Sequence, residues 1–291
     1  MPSTRDIRRR IKSVKNTAQI TKAMQMVAAS KMRRAQQAAL AGRPYATLLN
    51  EVLGNVVFHA GDFTHPLMEA REVKRQAVIL ISTDKGLCGA LNSNLMREAS
   101  KLAPDTLFIT AGRKAAQFVA RTKRRLAAEF LYKDTPLFAE ARSISKFARD
   151  LFLSGAADRV DLLYTRFVST LVQRPEARPF LPVGELGPVI AGFDQPPAPS
   201  QLAQAATEFL FEPDAGQVLG ALLPHSLNFQ IFQVLLEAKA SEQSARMVAM
   251  KSATDNAHQL IKDLTLEYNK LRQGNITNEL LEISTAALAL E

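Results

Sequence analysis

Cysteine occurs once in this 291-residue chain, at Cys88, tryptophan is absent and histidine occurs four times. A single thiol excludes an intramolecular disulfide and fits a reducing compartment, and so few histidines argue against a His-rich metal centre. Glycine and proline are missing from residues 3–41 and again from 225–273, so two long windows lack the residues that break helices. Acids are scarce where bases gather: from Arg5 to Arg34, ten Lys or Arg stand against Asp6 alone. Charged or polar residues interrupt every apolar run before it reaches the ~20 residues that span a bilayer, so membrane association is expected only through a partner.

With 47% hydrophobic and 22% charged residues, the chain reads as globular and not as disordered. Its formal net charge of +9 favours an anionic partner, whether nucleic acid, lipid surface or an acidic protein face.

The first glycine- and proline-free window opens Pro2-Ser3-Thr4-Arg5-Asp6. Ser3 or Thr4 can cap a helix there, and Asp6 suits its positive first turn. Ile7, Ile11, Val14, Ala18 and Thr21 recur at spacings of four and three, a heptad seam. A second stripe, Ile20, Met24, Val27, Ala28, Met32 and Ala35, continues it with a drift of face. Gly42 and Pro44 interrupt, and Tyr45–Val57 extends the pattern. The second window, His225–Gln273, would run ~70 Å as one helix and the first ~60 Å. Its apolar stripe takes in Ile231, Leu235 and Ala238, then Ala245, Ala249 and Ser252, then Ala253, Ala257, Leu260, Leu264 and Leu271. A helix of that length needs another to lie against, and the first window is its natural partner. Small residues in both seams allow a slender rod.

Between the rods the period changes. Gln76–Ser82 and Thr106–Thr110 read as buried strands, each followed by a helical pattern at Ala90–Lys101 and Lys114–Arg121, which argues a parallel sheet. Ile144–Leu153 reads as a further helix, Val160–Val172 and Ala177–Val183 as paired strands, and Gly184–Pro199 as a linker. The expected fold class is α/β with long helices, an antiparallel coiled coil of N- and C-terminal helices plus a central Rossmann-like α/β domain. The expected divisions are 1–60, 74–202 and 209–291.

Ile81-Ser-Thr-Asp-Lys-Gly-Leu-Cys-Gly-Ala-Leu-Asn92 has the look of a phosphate loop, but its Lys85 precedes the first glycine, whereas a P-loop lysine follows the last. Gly86 and Gly89 supply GxxG and no third glycine of a dinucleotide fingerprint. Glycines permitting a tight strand-to-helix turn are the simpler account. Cys88 lacks a nearby histidine and reads as a small buried residue. Asp84, Asp105, Glu129 and Asp134 show no motif spacing, and His59 with His65 is a weak metal signal. No catalytic residue, cofactor or metal is expected. The basic helix admits a transit peptide, though it lacks serine enrichment and carries its seam onward; a nucleic-acid-binding helix centred on Arg8-Arg9-Arg10, though without stacking aromatics; or a surface set in acidic surroundings.

Three segments carry a family resemblance: Ile7–Gln36 (IRRRIKSVKNTAQITKAMQMVAASKMRRAQ), Ile81–Leu95 (ISTDKGLCGALNSNL) and Ala240–Leu281 (ASEQSARMVAMKSATDNAHQLIKDLTLEYNKLRQGNITNELL). In this order they resemble the gamma subunit of F-type ATP synthases over essentially the whole chain. The resemblance implies a non-catalytic central rotor stalk, with partners in the alpha and beta subunits, the epsilon subunit and the membrane ring of c subunits. Rotation of an asymmetric shaft then drives nucleotide sites in the beta subunits through successive affinities. It further implies contacts with beta catch loops at Arg246, Arg272, Gln273 and Thr277, with Met24 facing them from the other helix and Arg8 and Arg9 adding to them. The sequence departs from the family where Ile276-Thr-Asn-Glu279 runs to Ala286-Ala287 and not to a Gly-Ala pair. The paired cysteines of chloroplast members are missing, and the Met1-Pro-Ser start favours a bacterial protein on the cytoplasmic side of the inner membrane over a mitochondrial one. The competing expectations are a basic coiled-coil nucleic-acid-binding protein and a nucleotide-dependent enzyme centred on Asp84–Asn92.

Overall fold

The structure is a computed structural model that describes residues 3–59, 65–183, 212 and 214–288. The expected linker at Gly184–Pro199 lies outside the described residues. Two compact units divide the chain: residues 1–27 with 247–291, and residues 28–246. Helix α1 spans Thr4–Ala41, α2 Arg43–His59, and α6, the last, Ala215–Leu288; α1 and α6 contribute to both units.

In the first unit the two long helices pair. Ser3 caps α1: its Oγ accepts from Asp6 N–H (3.2 Å) and donates to Asp6 Oδ2 (2.7 Å), and Ser3 N–H donates to the same carboxylate (3.3 Å). This is a capping box closed by aspartate, and the Ser3 bonds hold the Asp6 carboxyl below its ordinary range. Ile7, Ala18 and Thr21 of the expected seam are buried, as are Met250, Thr254, Ala257 and Leu264 of α6. Thr21 meets Thr254, and Arg8 meets Tyr268. Stepping 13 residues down α1 therefore climbs 14 along α6, so the pair is antiparallel. Of the second expected stripe, Ile20 (60% exposed) and Val27 (54%) face outward. Leu260 and Ser252 do so on α6, because the seam runs Met250, Thr254, Ala257, Leu264.

The second unit is built on a five-stranded sheet in the order β3-β2-β1-β4-β5. The elements are β1 Gln76–Ile81, α3 Leu91–Ser100, β2 Leu107–Ala111, α4 Arg113–Arg121, β3 Arg125–Phe130, α5 Phe138–Leu153, β4 Arg159–Phe167 and β5 Gln173–Leu181. All neighbours pair parallel except β4 with β5. One face, with Ile79, Ile81, Ile109, Leu162 and Tyr164, packs on α5 and α6 through Ile144, Phe152, Ile231 and Leu235. The other, with Val78, Leu80, Phe108 and Leu163, packs on α3 and α4 through Leu95, Ala99, Phe118 and Val119. Burial on both faces explains the unbroken apolar runs of β1 and β2.

Several elements differ from expectation: α5 begins at Phe138 and not at Ile144, and β4 ends at Phe167 and not at Val172. Strand β3 reads weakly in sequence because it is a half-exposed sheet edge. Strand β5 begins at Gln173 and not near Ala177, with Pro175 and Pro179 inside it, positions an edge strand tolerates because its outer N–H groups need no ladder partner. Helix α6 starts ten residues before His225 and passes through Pro224. Leu219 and Leu223, buried against Ala46, Leu49, Leu53 and Val56 of α2, outweigh the hydrogen bond that the proline removes. A window of α6 is apolar and long enough to cross a membrane by composition, but 56% of it is buried within the chain, as in a core helix.

Candidate partner-contact residues and the turn after the first strand

In a doubly wound sheet, ligands bind beyond the C-terminal strand ends, where successive connections leave for opposite faces. Here the loop after β1 and the start of α4, beyond the C-terminal ends of β1 and β2, are occupied by the chain's own groups. The first N–H groups of α4 are each taken. Arg113 N–H donates to Asp84 Oδ1 (3.0 Å), Lys114 N–H to Thr83 O (3.1 Å) and Ala115 N–H to Ser82 Oγ (2.7 Å). These are the donors that a phosphate at a helix N-terminus would use. Thr83 Oγ1 donates to Lys85 O (2.7 Å) and accepts from Asn92 Nδ2 (2.8 Å), which also reaches Cys88 Sγ (3.3 Å).

From α6, Arg246 closes the turn. Its Nη2 donates to Lys85 O (3.3 Å) and Gly86 O (3.2 Å), and its Nη1 pairs with Glu242 Oε1 at 2.8 Å. The ionic chain continues through Lys239, whose Nζ is 3.0 Å from both Glu242 Oε2 and Asp134 Oδ1, to Lys31 of α1, 2.5 Å from Asp134 Oδ2. Hydrogen bonds from Lys31 and Lys239 hold the Asp134 carboxyl down at about 2. Burial pushes the Cys88 thiol up, against the pull of the Arg246 charge, so Cys88 has the character of a core residue. Tyr132, whose hydroxyl donates to Ser82 O (2.9 Å), is also pushed well up by burial.

The glycines of the turn do not all serve it as expected. Gly86 has open space where a Cβ would stand, whereas the left-handed backbone falls at Leu87 (φ 63°) and Gly89 (φ 59°). The glycine that the fold requires is Gly112, with φ 102° and a Cβ position 2.3 Å from Ser82 O.

The expected contact residues separate between the two units. Arg8 is exposed, its Nη2 2.5 Å from Tyr268 OH and its guanidinium over the Tyr268 ring at 5.3 Å. Arg9, Arg272, Gln273 and Thr277 are exposed, and Thr277 Oγ1 back-bonds to Gln273 O (3.0 Å). Arg272 stands one turn beyond Tyr268. Met24 is half-buried and does not face Arg272, Gln273 and Thr277. Three residues beyond Thr21, it lies level with about Lys251, roughly 30 Å along α6 from them. Arg246 belongs to the other unit and is 9% exposed. Of the two histidines, His65 Nδ1 accepts from Leu67 N–H (3.1 Å), and the side chain of His59 lies outside the described residues. Sequence reasoning missed Lys31, Asp134, Lys239, Glu242 and Ser82. The one available signal was Lys239, Glu242 and Arg246 at i, i+3 and i+7, opposite charges on one helix face.

A family model described as ATP synthase matches residues 3–290. The ATP synthase gamma chain of Opitutus terrae is 49% identical, over 99% of this chain and 99% of its own, and that of Methylacidiphilum infernorum is 47% identical over the whole of both. The fold is shared with a chain of the rotor of Euglena gracilis mitochondrial ATP synthase, at TM-score 0.67 and 19% identity, over 94% of this chain and 98% of that one. It is shared too with a chain of the central stalk and c-ring of the Tetrahymena thermophila mitochondrial enzyme, at TM-score 0.59 and 24% identity, over 80% and 99%. These relatives give no support to the nucleic-acid-binding alternative. On the full-length family match and relatives approaching half identity, the chain belongs to the ATP synthase gamma-chain family.

Proposed function

We propose that the chain is the non-catalytic torque shaft of its complex, turning within a ring of alpha and beta subunits while its α/β part engages the epsilon subunit and the c-ring. The complex is then held on the cytoplasmic face of a bacterial inner membrane through those partners. The working divisions are residues 1–60, 74–202 and 209–291. The observation that carries the non-catalytic reading is that the N–H groups at the start of α4 and the carbonyls of the turn after β1 are taken by Ser82, Asp84 and Arg246. Nucleotide chemistry accordingly belongs to the beta subunits, and this chain acts on it by meeting successive beta conformations unequally.

Arg8, Arg9, Met24, Arg272, Gln273 and Thr277 are the proposed contacts with beta loops. Their exposure on paired helices, apart from the half-buried Met24, supports this reading. Arg246 joins them only by exchanging Glu242 for a partner carboxylate. Charge-assisted bonds of this kind contribute about 1.5–3 kcal/mol. The test is Arg272→Ala in inverted membrane vesicles: protons pumped per ATP hydrolysed should fall several-fold while the complex still assembles. An unchanged ratio would overturn the assignment.

A further inference from the structure

Beside the β4–β5 hairpin, α6 presents Glu237, Ser241 and Ser244, spaced to share one helix face. Ser241 Oγ donates to Thr165 O (3.0 Å), Ser244 Oγ donates to Thr170 O (2.8 Å), and Glu237 Oε1 accepts from Phe167 N–H (3.2 Å). These three bonds, with a fourth from Gln173 Nε2 to Ser244 Oγ (3.4 Å), stitch the end of the hairpin to α6. All but one involve serine hydroxyls, which keep their form at any physiological pH. The remaining one ends on a carboxyl that is 5% exposed.

Among the described residues, charged and titratable groups approach that carboxyl from both strands of the hairpin. Strand β4 brings Tyr164 and Arg166, and β5 brings Glu176 and Arg178. Helix α1 brings Ala35 to the apolar contact of Phe167 with Ala240. On α6 itself, Lys239 and Glu242 are engaged with Asp134 and Arg246. Glu176 takes both arginines, pairing with Arg178 and lying 3.5 Å from Arg166 Nη1. Tyr164 OH and Arg166 Nε are buried without a hydrogen-bond partner, so neither donates to Glu237 in this arrangement. The site as packed suits a neutral acid, because among the described residues only the Phe167 N–H donates to it, and an ionised carboxylate needs several donors to replace its hydration.

We propose that Glu237 is a proton-operated fastener of the β4–β5 hairpin: the neutral acid holds the hairpin end closed on α6, and the carboxylate loosens it. Ionised Glu237 recovers hydration when the hairpin lifts from Ser241 and Ser244. Burial raises its pKa from 4.5 to about 7, with Arg178, the Phe167 N–H bond and Arg166 opposing. The sign follows directly. The closed form binds the proton more tightly than an opened, hydrated form, so closure is strongest below the opened-state pKa and weakens as pH rises towards about 7.

Hydrogen exchange on the full-length chain tests this, read at the amides of residues 165–173 and corrected for the intrinsic pH dependence of exchange. The opening equilibrium should rise by about tenfold per pH unit between roughly pH 5 and 7, then level off. In Glu237→Gln, which imitates the neutral acid, the hairpin should stay closed and the profile should be flat. Ser241→Ala, which removes a neighbouring stitch and leaves the carboxyl, should open more at every pH and retain the slope. A flat wild-type profile, a slope that survives in Glu237→Gln, or one that vanishes in Ser241→Ala would each overturn the proposal.

Discussion

Thr21 on α1 and Thr254 on α6 share a 2.7 Å hydrogen bond inside the antiparallel pair, joining residues 233 apart in sequence. Each hydroxyl also lies near a carbonyl of its own helix, Ala18 O at 3.1 Å and Met250 O at 2.8 Å. In a seam of small residues, which resists sliding weakly, one buried polar pair selects the register. Thr21→Val and Thr254→Val should each destabilise by about 1 kcal/mol, and the double variant by clearly less than the sum, since no hydroxyl is then left without its partner. Urea unfolding of the four proteins in the cycle measures this; strict additivity would show that the pair is not coupled.

Gly112 and Gly86 should respond oppositely to alanine. At Gly112 a methyl meets Ser82 O at 2.3 Å with φ at 102°, and that carbonyl is held by Tyr132 OH. Gly112→Ala should cost about 3 kcal/mol or more, and Gly86→Ala should stay within ~0.5 kcal/mol. Thermal unfolding of the two variants separates them.

Arg246→Met leaves Glu242 buried with Lys239 as its remaining ion-pair partner among the described residues and frees the carbonyls of Lys85 and Gly86. Removing one partner of a buried pair commonly costs about 3–5 kcal/mol; with Lys239 still in place the expected loss is about 3 kcal/mol. Glu242→Gln combined with Arg246→Met should lose less than the two single losses added. Denaturant midpoints decide this, and a loss below ~1 kcal/mol for Arg246→Met would show that the pair does not brace the turn.

Asp134 supplies an acid-sensitive contribution. Its folded pKa of about 2 lies below the ordinary 3.8, so the stabilisation is present above about pH 4 and is lost as pH falls from there through about 2. The carboxylate is 57% exposed, which limits its worth to under about 1 kcal/mol. The stability gap between wild type and Asp134→Asn should be visible at pH 7 and close towards pH 2 in urea titrations.

Much of this architecture is legible before any coordinates. The absence of glycine and proline marks both long helices, the spacing Ile7, Ala18, Thr21 marks the buried seam, and the apolar runs of β1 and β2 mark strands sheltered on both faces. Where reading fails, a neighbour is responsible. Ile20 and Val27 look like seam residues until the register turns them out. Arg125–Phe130 has little strand character until β2 offers an edge. Pro224 looks like a stop until α2 buries Leu219 and Leu223 beside it. Lys239, Glu242 and Arg246 resemble an ordinary solvated helix face, and nothing local in the sequence says that the sheet and loops cover it.

The turn after β1 divides the two kinds of knowledge. By itself the sequence determined the presence of the two long helices, the heptad spacing, the out-of-order glycines and lysine of Ile81–Asn92, and the family to which these segments belong, because all are properties of residues close along the chain. Tertiary structure alone decided that Ser82, Thr83 and Asp84 cap α4, that Arg246 seals the turn from 160 residues away, and that Thr21 meets Thr254. Those pairings depend on surfaces assembled from distant segments. A buried charge or hydroxyl takes its meaning from whatever partner the fold brings to it.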